Sequence, residues 1–424
     1  MLKNILNSFS TKLLSALFSF LTVLLTTQFL GTDGRGEVVI ITSTIIIIML
    51  LNGLVGSSAV VYLTPKRNFY QLLIPSYLWA LFCSVLMFFL LTFYSDTLIQ
   101  NKLLYGEIHQ PIRPEFVLDV VILGFFGSLF EINALVLLGK EKITTHNLLG
   151  LGRAFLIFVI LSYYFFGNQA DIIFFVQTLH IVYFSIFIIS CFILFSFDEK
   201  ILKKDFFISA KDMLNYGFQD QVSTILHFLN YRITVYALFF IYGQSKTGIF
   251  SIALFLMEGV LLISNSISLV QFSKIVNSKD SKYNEKITLD LSKLTFILVL
   301  TCCLILATIP STLYEWMVGK NFTGINHYFA LLIPGILAFS STQVINHYFC
   351  SIGKFYHNII SNAIGMTISL IGCFIIIPKY GIDGACITIS VTYMLVGTYL
   401  VIKYTSTTQI QLKDFLSIPR FNLK

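Results

Sequence analysis

The chain is 424 residues long, 56% hydrophobic and only 12% charged, with a formal net charge of +7 and a mean hydropathy of +0.83. Soluble domains carry about 25% charged residues, so this composition excludes an ordinary soluble protein and points to an integral membrane protein. The seven cysteines show no C-x-x-C spacing, which excludes the usual thiolate metal or redox motifs and fits apolar packing inside spans.

A membrane-crossing helix needs about 20 apolar residues. With that ruler the sequence predicts about twelve spans, near 9 to 30, 38 to 63, 72 to 95, 116 to 138, 147 to 167, 171 to 196, 213 to 242, 248 to 272, 291 to 310, 326 to 350, 356 to 377 and 382 to 403. Lys3 and Lys12 precede the first stretch, which reaches Leu30 without a small-residue cleavage site, so it is expected to be a retained span rather than a signal peptide. The longest loops are expected around Ser95 to Glu115 and Ser273 to Asp290. Neither is long enough to fold alone, so the chemistry is expected inside the membrane or at its surfaces.

Placing both termini in the cytoplasm puts 20 of the 28 Lys and Arg residues in inside segments and 6 outside, with Arg153 and Arg232 within spans. That asymmetry is the positive-inside pattern, and it accounts for the net charge without a nucleic-acid partner. No P-loop sequence is present, so ATP hydrolysis is not expected. Neither an enzyme activity nor a cofactor or metal is expected.

The chain repeats itself. Phe29-Leu30-Gly31 with Gly36 is echoed by Ile241-Tyr242-Gly243 with Gly248, both G-x4-G between apolar runs and 212 residues apart. Gly139-Lys140 with His146-Asn147 is echoed by Gly353-Lys354 with His357-Asn358. Two echoes in the same order favour a duplicated architecture, with lobes 1–205 and 206–424. Six spans return a chain to its starting side, so the two lobes are expected to be parallel, with a site between them, which is a transporter plan.

Polar residues inside spans mark candidate sites. In the first span Asn4, Ser8, Thr11, Ser15, Ser19, Thr22 and Thr26 share one helical face, which fits either close helix packing or the lining of a wet cavity. The seventh span is far more polar. On it Asp220, Thr224, His227 and Tyr231 share a face, with Asn230 and Arg232 beside them. Glu131, Arg153, His180 and Glu258 are the other ionisable groups in predicted spans. An arginine there presents a planar fork suited to phosphate oxygens, and its alternative role is an ion pair with Glu131, Asp220 or Glu258. His180 reads as a satisfied interior histidine.

The turn Phe29-Leu30-Gly31 with Gly34-Arg35-Gly36-Glu37, the Leu138-Gly139-Lys140 turn with His146-Asn147, and Pro378-Lys379-Tyr380-Gly381-Ile382-Asp383-Gly384-Ala385 before the last span carry a resemblance over nearly the whole chain. The sequence resembles the O-antigen type of polysaccharide-biosynthesis flippase, in the multidrug/oligosaccharidyl-lipid/polysaccharide superfamily. The resemblance implies an all-α integral membrane fold of about twelve helices, in two parallel six-helix lobes around a central cavity, like that of the related multidrug antiporters. It implies movement of an undecaprenyl-pyrophosphate-linked oligosaccharide from the cytoplasmic to the periplasmic leaflet of the inner membrane.

Arg153 and Arg232 are then the cations that hold pyrophosphate, with Lys12 at the cytoplasmic mouth. Thr224, Asn230 and Tyr231 are expected to contact sugar hydroxyls. Asp220, His227, Glu131 and Glu258 are candidates for coupling to H+ or Na+. A glycan polymerase and a chain-length regulator are the expected protein partners. The alternatives are a cation-coupled multidrug exporter of the same fold and a membrane-embedded glycan polymerase; against the latter, the longest outside loop offers only Lys102 and Arg113.

Overall fold

The computed structural model describes residues 2–55, 58–64, 67–105, 112–140, 142–167, 170–197, 206–276, 278 and 280–416. Every regular element among them is helical. In chain order they are α1 (Leu2–Asn52), α2 (Ser58–Leu63), α3 (Phe69–Tyr105), α4 (Val117–Gly139), α5 (Ile143–Phe166), α6 (Ile172–Phe195), α7 (Phe206–Val276), α8 (Ser281–Thr308), α9 (Ser311–Val318), α10 (Ile325–Ser351), α11 (Tyr356–Ile375) and α12 (Ile377–Thr407), with short 3-10 turns at Gly53–Val55, Pro114–Phe116 and Leu412–Leu416. Ten of the twelve are long and apolar enough to cross a membrane.

Two of those ten each contain two of the spans the sequence predicted. α1 and α7 are each a pair of helices joined across one glycine, Gly31 (φ 68°, ψ −166°) and Gly243 (φ 80°, ψ −169°). The first glycine of each repeated G-x4-G is therefore a one-residue bend between two helices rather than a longer loop. A side-chain-bearing residue would be strained at this positive φ.

Three expectations about span limits are corrected. The second span does not run unbroken to residue 63. α1 stops at Asn52, a 3-10 turn follows, and α2 begins at Ser58. The side chain of Gln221 ends the helix: its Nε2 donates to the Leu50 carbonyl at 2.8 Å, supplying a partner for an oxygen near the terminus. The expected loop from Ser95 is helical as far as Tyr105. The expected loop over 273–290 is mostly helix, because Asp280 caps α8 by accepting from the amides of Lys282 and Tyr283 at 3.0 and 3.2 Å.

The chain divides into two compact units, one of Met1–Ile225 with Gly243–Gly248, the other of Leu226–Tyr242 with Ile249–Lys424. In the first, α4 packs against α1, α3 and α6 over a core that includes Val136, Leu137 and Val182. Asn133 on α4 crosses that core, accepting from the Tyr77 hydroxyl of α3 and donating to Ser190 Oγ of α6. In the second, α12 packs against α10 and α11, and α8 against α10, around Ile345, Phe349, Leu400 and Tyr404. Leu78, Phe82, Val85, Phe89 and Phe93 form an exposed apolar stripe along α3, as expected of a helix face turned to lipid.

Candidate functional site

In the first unit the charged residues of the spans come together. Arg153 of α5 donates from Nη1 to Glu131 Oε1 of α4 at 2.8 Å, with 29% of the arginine and 40% of the glutamate side chain exposed. The guanidinium carbon lies 5.2 Å from the ring centre of Phe130 and 5.9 Å from that of Tyr183, so aromatic faces hold the cation where water is scarce. His146 lies two turns before Arg153 on α5, and both Lys12 and Glu131 act on it electrostatically. Lys12 is itself exposed on α1. Helices α4 and α5 thus supply the charged pair, and α4 and α6 its flanking rings.

The second unit holds the other arginine pair. Arg232 and Glu258 both belong to α7, 26 residues apart, which on a straight helix is about 39 Å. Because the helix turns at Gly243, Arg232 Nη2 instead reaches Glu258 Oε1 at 2.9 Å. Here 14% of the arginine and 38% of the glutamate side chain is exposed. The Tyr231 and Phe228 rings flank the guanidinium at 5.1 and 5.6 Å. His227 stands edge-on to Tyr231 at 6.3 Å and stacks on Phe339 at 5.3 Å, and Phe339 stacks on Tyr393 at 4.4 Å. The His227 Nε2 is buried without a hydrogen-bond partner.

The remaining candidates separate from these two clusters. The Asn230 main-chain carbonyl accepts from Ser369 Oγ of α11 at 2.6 Å, and its Nδ2 lies against Gly365 of the same helix, so Asn230 faces α11. Thr224 is exposed. Asp220 belongs to α7, with its side chain outside the described residues. His180 pairs with Asp119 at 2.9 Å. The hydroxyls of the first span mostly bond to carbonyls of their own helix, as Ser15 does to Thr11 and Thr22 to Phe18; Thr26 additionally accepts from Arg35 Nη1 at 3.2 Å. Sequence reasoning missed His146, Tyr183, Phe339 and Tyr393 as members of the clusters. Their signal is spatial, an aromatic or titratable ring brought to an arginine from another helix.

Chemically, each cluster is a guanidinium held on aromatic rings with an accessible carboxylate as its partner. Among the described residues, no group of three His, Cys, Asp or Glu side chains is placed to hold a metal ion. Such a cluster offers a guanidinium fork to an anion and a carboxylate to a cation.

No protein-family model and no curated protein matches the sequence. The fold has clear relatives among solved structures. The inward closed conformation of the lipid II flippase MurJ superposes with a TM-score of 0.74 at 17% identity, over 98% of this chain and 89% of that one. An inward-facing multidrug resistance MATE family transporter of the MOP superfamily gives 0.73 at 12% identity, over 96% and 99%. A MATE in complex with MaL6 gives 0.67 at 13%, over 96% and 97%. At these identities the likeness shows the fold alone, one shared with MurJ and with MATE family transporters.

Proposed function

We propose that this protein is a flippase for an undecaprenyl-pyrophosphate-linked oligosaccharide, an O-antigen or similar surface-polysaccharide unit, working by alternating access between twelve spans in two six-helix lobes, 1–205 and 206–424. The observation that carries the reading is the presence, in each compact unit, of an arginine inside a membrane-spanning helix, on aromatic rings, and paired to a carboxylate more exposed than itself. A charge near the bilayer centre costs at least about 2.5–3.5 kcal/mol, and a purely apolar pair of equal volume is often as stable as a buried ion pair. Two such pairs in one chain therefore favour a functional role. Pyrophosphate oxygens match the guanidinium fork and would displace Glu131 from Arg153 and Glu258 from Arg232, leaving the carboxylates free to take up H+ or Na+. Tyr231 and Thr224 would face sugar hydroxyls, and Lys12 would meet the anion at entry in the cytoplasmic leaflet of the inner membrane.

A second reading has its own support. The more accessible member of each pair is the glutamate, which suits a cationic cargo, and a multidrug transporter fold superposes about as well as a lipid flippase fold. Fold alone does not assign cargo. Deletion in the native host separates the two. The flippase reading expects long-chain surface polysaccharide to disappear while lipid-linked single units accumulate, with Arg153→Ala/Arg232→Ala unable to restore it. Normal surface glycan with raised drug sensitivity would establish the exporter instead.

A further inference from the structure

The second sequence echo, Gly353-Lys354 with His357-Asn358, is not used by either charged cluster, and it forms a distinct constellation at the turn from α10 to α11. The end of α10 is a Schellman turn: the Gly353 amide donates to Cys350 O at 3.1 Å and the Lys354 amide to Phe349 O at 2.9 Å. Gly353 takes φ 75° with open space around its missing side chain, so the positive φ is what calls for glycine. The turn brings Lys354 directly before the N-terminus of the 20-residue α11, where the helix dipole favours an anion.

The side chains of Phe349, Tyr356, His357, Tyr399 and Lys403 meet there. The His357 ring, 4% exposed, lies 4.0 Å from the Tyr356 ring and 4.6 Å from Phe349, and its Nδ1 stands 3.5 Å from the Tyr399 hydroxyl of α12. Its Nε2 is buried without a hydrogen-bond partner. Lys403, one turn beyond Tyr399, sits with Nζ 5.9 Å from the Tyr399 ring centre. The charges that act on this ring are those of Lys403 and Lys354, with no carboxylate among them. Among the described residues neither lysine forms an ion pair. The two are half-buried, unlike the fully exposed lysines of an ordinary solvated face.

Exposed apolar side chains adjoin the polar cluster: Ile352 at the end of α10, Tyr356 and Ile360 four apart on α11, and Leu395 and Ile402 seven apart on α12. On helices that cross a membrane, such faces are covered by acyl chains. A cationic pocket at the head of an apolar track is the complement of a phospholipid with an anionic headgroup; a soluble phosphate would leave the track uncovered.

We propose that the α10–α11 turn is a binding site for the phosphate headgroup of an anionic membrane lipid, held by Lys354, Lys403 and the Tyr399 hydroxyl at the N-terminus of α11, with the acyl chains along Ile360 and Leu395. It is independent of the cargo and of the Arg–Glu pairs. Basic side chains between helices at a membrane surface recognise anionic headgroups in this way.

The test uses the purified full chain and reads bound lipid by native mass spectrometry after release from vesicles of phosphatidylcholine alone, or of equal parts phosphatidylcholine and phosphatidylglycerol. The wild type is expected to retain phosphatidylglycerol over phosphatidylcholine. Lys354→Gln/Lys403→Gln should weaken that retention by about thirtyfold, while Lys282→Gln/Lys286→Gln, on the exposed side of α8, should leave it unchanged. Lys354→Arg/Lys403→Arg should keep it. If the double glutamine variant does not fold, Lys354→Gln alone carries the test, with a loss of about fivefold expected. Equal retention of the two lipids by the wild type overturns the proposal, as does undiminished selectivity in the folded glutamine variant. Inorganic phosphate that competes as well as the lipid would show a free-anion site and overturn the lipid assignment.

Discussion

Gly36 lies so close to the main-chain carbonyl of Gln244 that a Cβ at Gly36 would overlap it, and Gly248 lies in the same relation to the carbonyl of Thr32. Both contacts fall within the first compact unit. Each partner is the 212-residue counterpart of the other, so the duplicated G-x4-G is complementary to itself. Backbone carbonyls cannot yield as a side-chain tip can. Overpacking here should therefore cost at the upper end of the usual range, about 3 kcal/mol. Gly36→Leu and Gly248→Leu are each expected to lower the unfolding temperature in detergent sharply. A wild-type melt for either would refute the contact.

The same crossing should be chemically trappable. Ser245 Oγ donates to Thr32 Oγ1 at 2.9 Å, a separation that places the two Cβ atoms within reach of a disulfide, for which about 3.5–4.5 Å is usual. In a chain whose native cysteines are replaced by alanine, Thr32→Cys/Ser245→Cys should lose both free thiols on mild oxidation and regain them on reduction. The readout is maleimide labelling, and persistent labelling after oxidation would disprove the approach.

Asn133 offers a test of how the first unit is held together. It is fully buried and joins α3 to α6 through Tyr77 and Ser190. Asn133→Ala removes the acceptor of the half-buried Tyr77 hydroxyl and a donor to Ser190, whose own hydroxyl still donates to the Phe187 carbonyl, at a cost of about 1–3 kcal/mol. Thr367→Ala removes only an exposed hydroxyl bonded within its own helix and should change stability by less than about 0.5 kcal/mol. Comparable chemical-denaturation midpoints for the two variants would show that the Asn133 network contributes little.

Much of this architecture was legible in the sequence because lipid imposes a length rule that hydropathy reads directly. Among the described residues the apolar runs located all ten helices long and apolar enough to cross a membrane, and the G-x4-G echo marked the bends at Gly31 and Gly243. Where the reading slipped, a local polar interaction decided the outcome: the Asp280 cap extended α8 backward, and Gln221 closed α1 early. The site was half legible. Arg153, Arg232, Glu131 and Glu258 stand out as charges in apolar runs, and sequence restricts the partners of each arginine to a few acids. The choice of Glu258 for Arg232 depends on a bend that brings together residues about 39 Å apart on a straight helix, and the rings of Tyr183 and Tyr393 arrive from helices that no spacing rule connects.

A third glycine bend, at Gly381, can be weighed in the same way. Gly381 interrupts α12 at φ 56°, ψ −125°, and beside it the Tyr242 hydroxyl donates to the Pro378 carbonyl at 2.8 Å. A Cβ at Gly381 would meet the Tyr242 ring at an ordinary 3.6 Å, so the cost of Gly381→Ala is conformational, about 1–3 kcal/mol. Tyr242→Phe should cost about 1 kcal/mol. If Gly381→Ala were as stable as the wild type by thermal unfolding, the positive φ would not be retained in solution.

The Arg232–Glu258 pair permits an experiment that separates structure from function. Removing either partner leaves a charge in a membrane span, and Arg232→Gln or Glu258→Gln should each cost about 3 kcal/mol. The reversal Arg232→Glu/Glu258→Arg restores an ion pair across the same 2.9 Å contact and should recover most of that stability. It also carries the guanidinium to the opposite arm of the α7 bend, away from the flanking rings of Phe228 and Tyr231. A cargo phosphate that relies on the position of the cation would lose its partner even though the pair is intact. The reversed variant is therefore expected to fold like the wild type, in thermal unfolding and in membrane abundance, yet to fail in restoring surface polysaccharide to a deletion strain. Full restoration by the reversed pair would mean that it serves only the fold, and the search for the cargo contact would pass to Arg153.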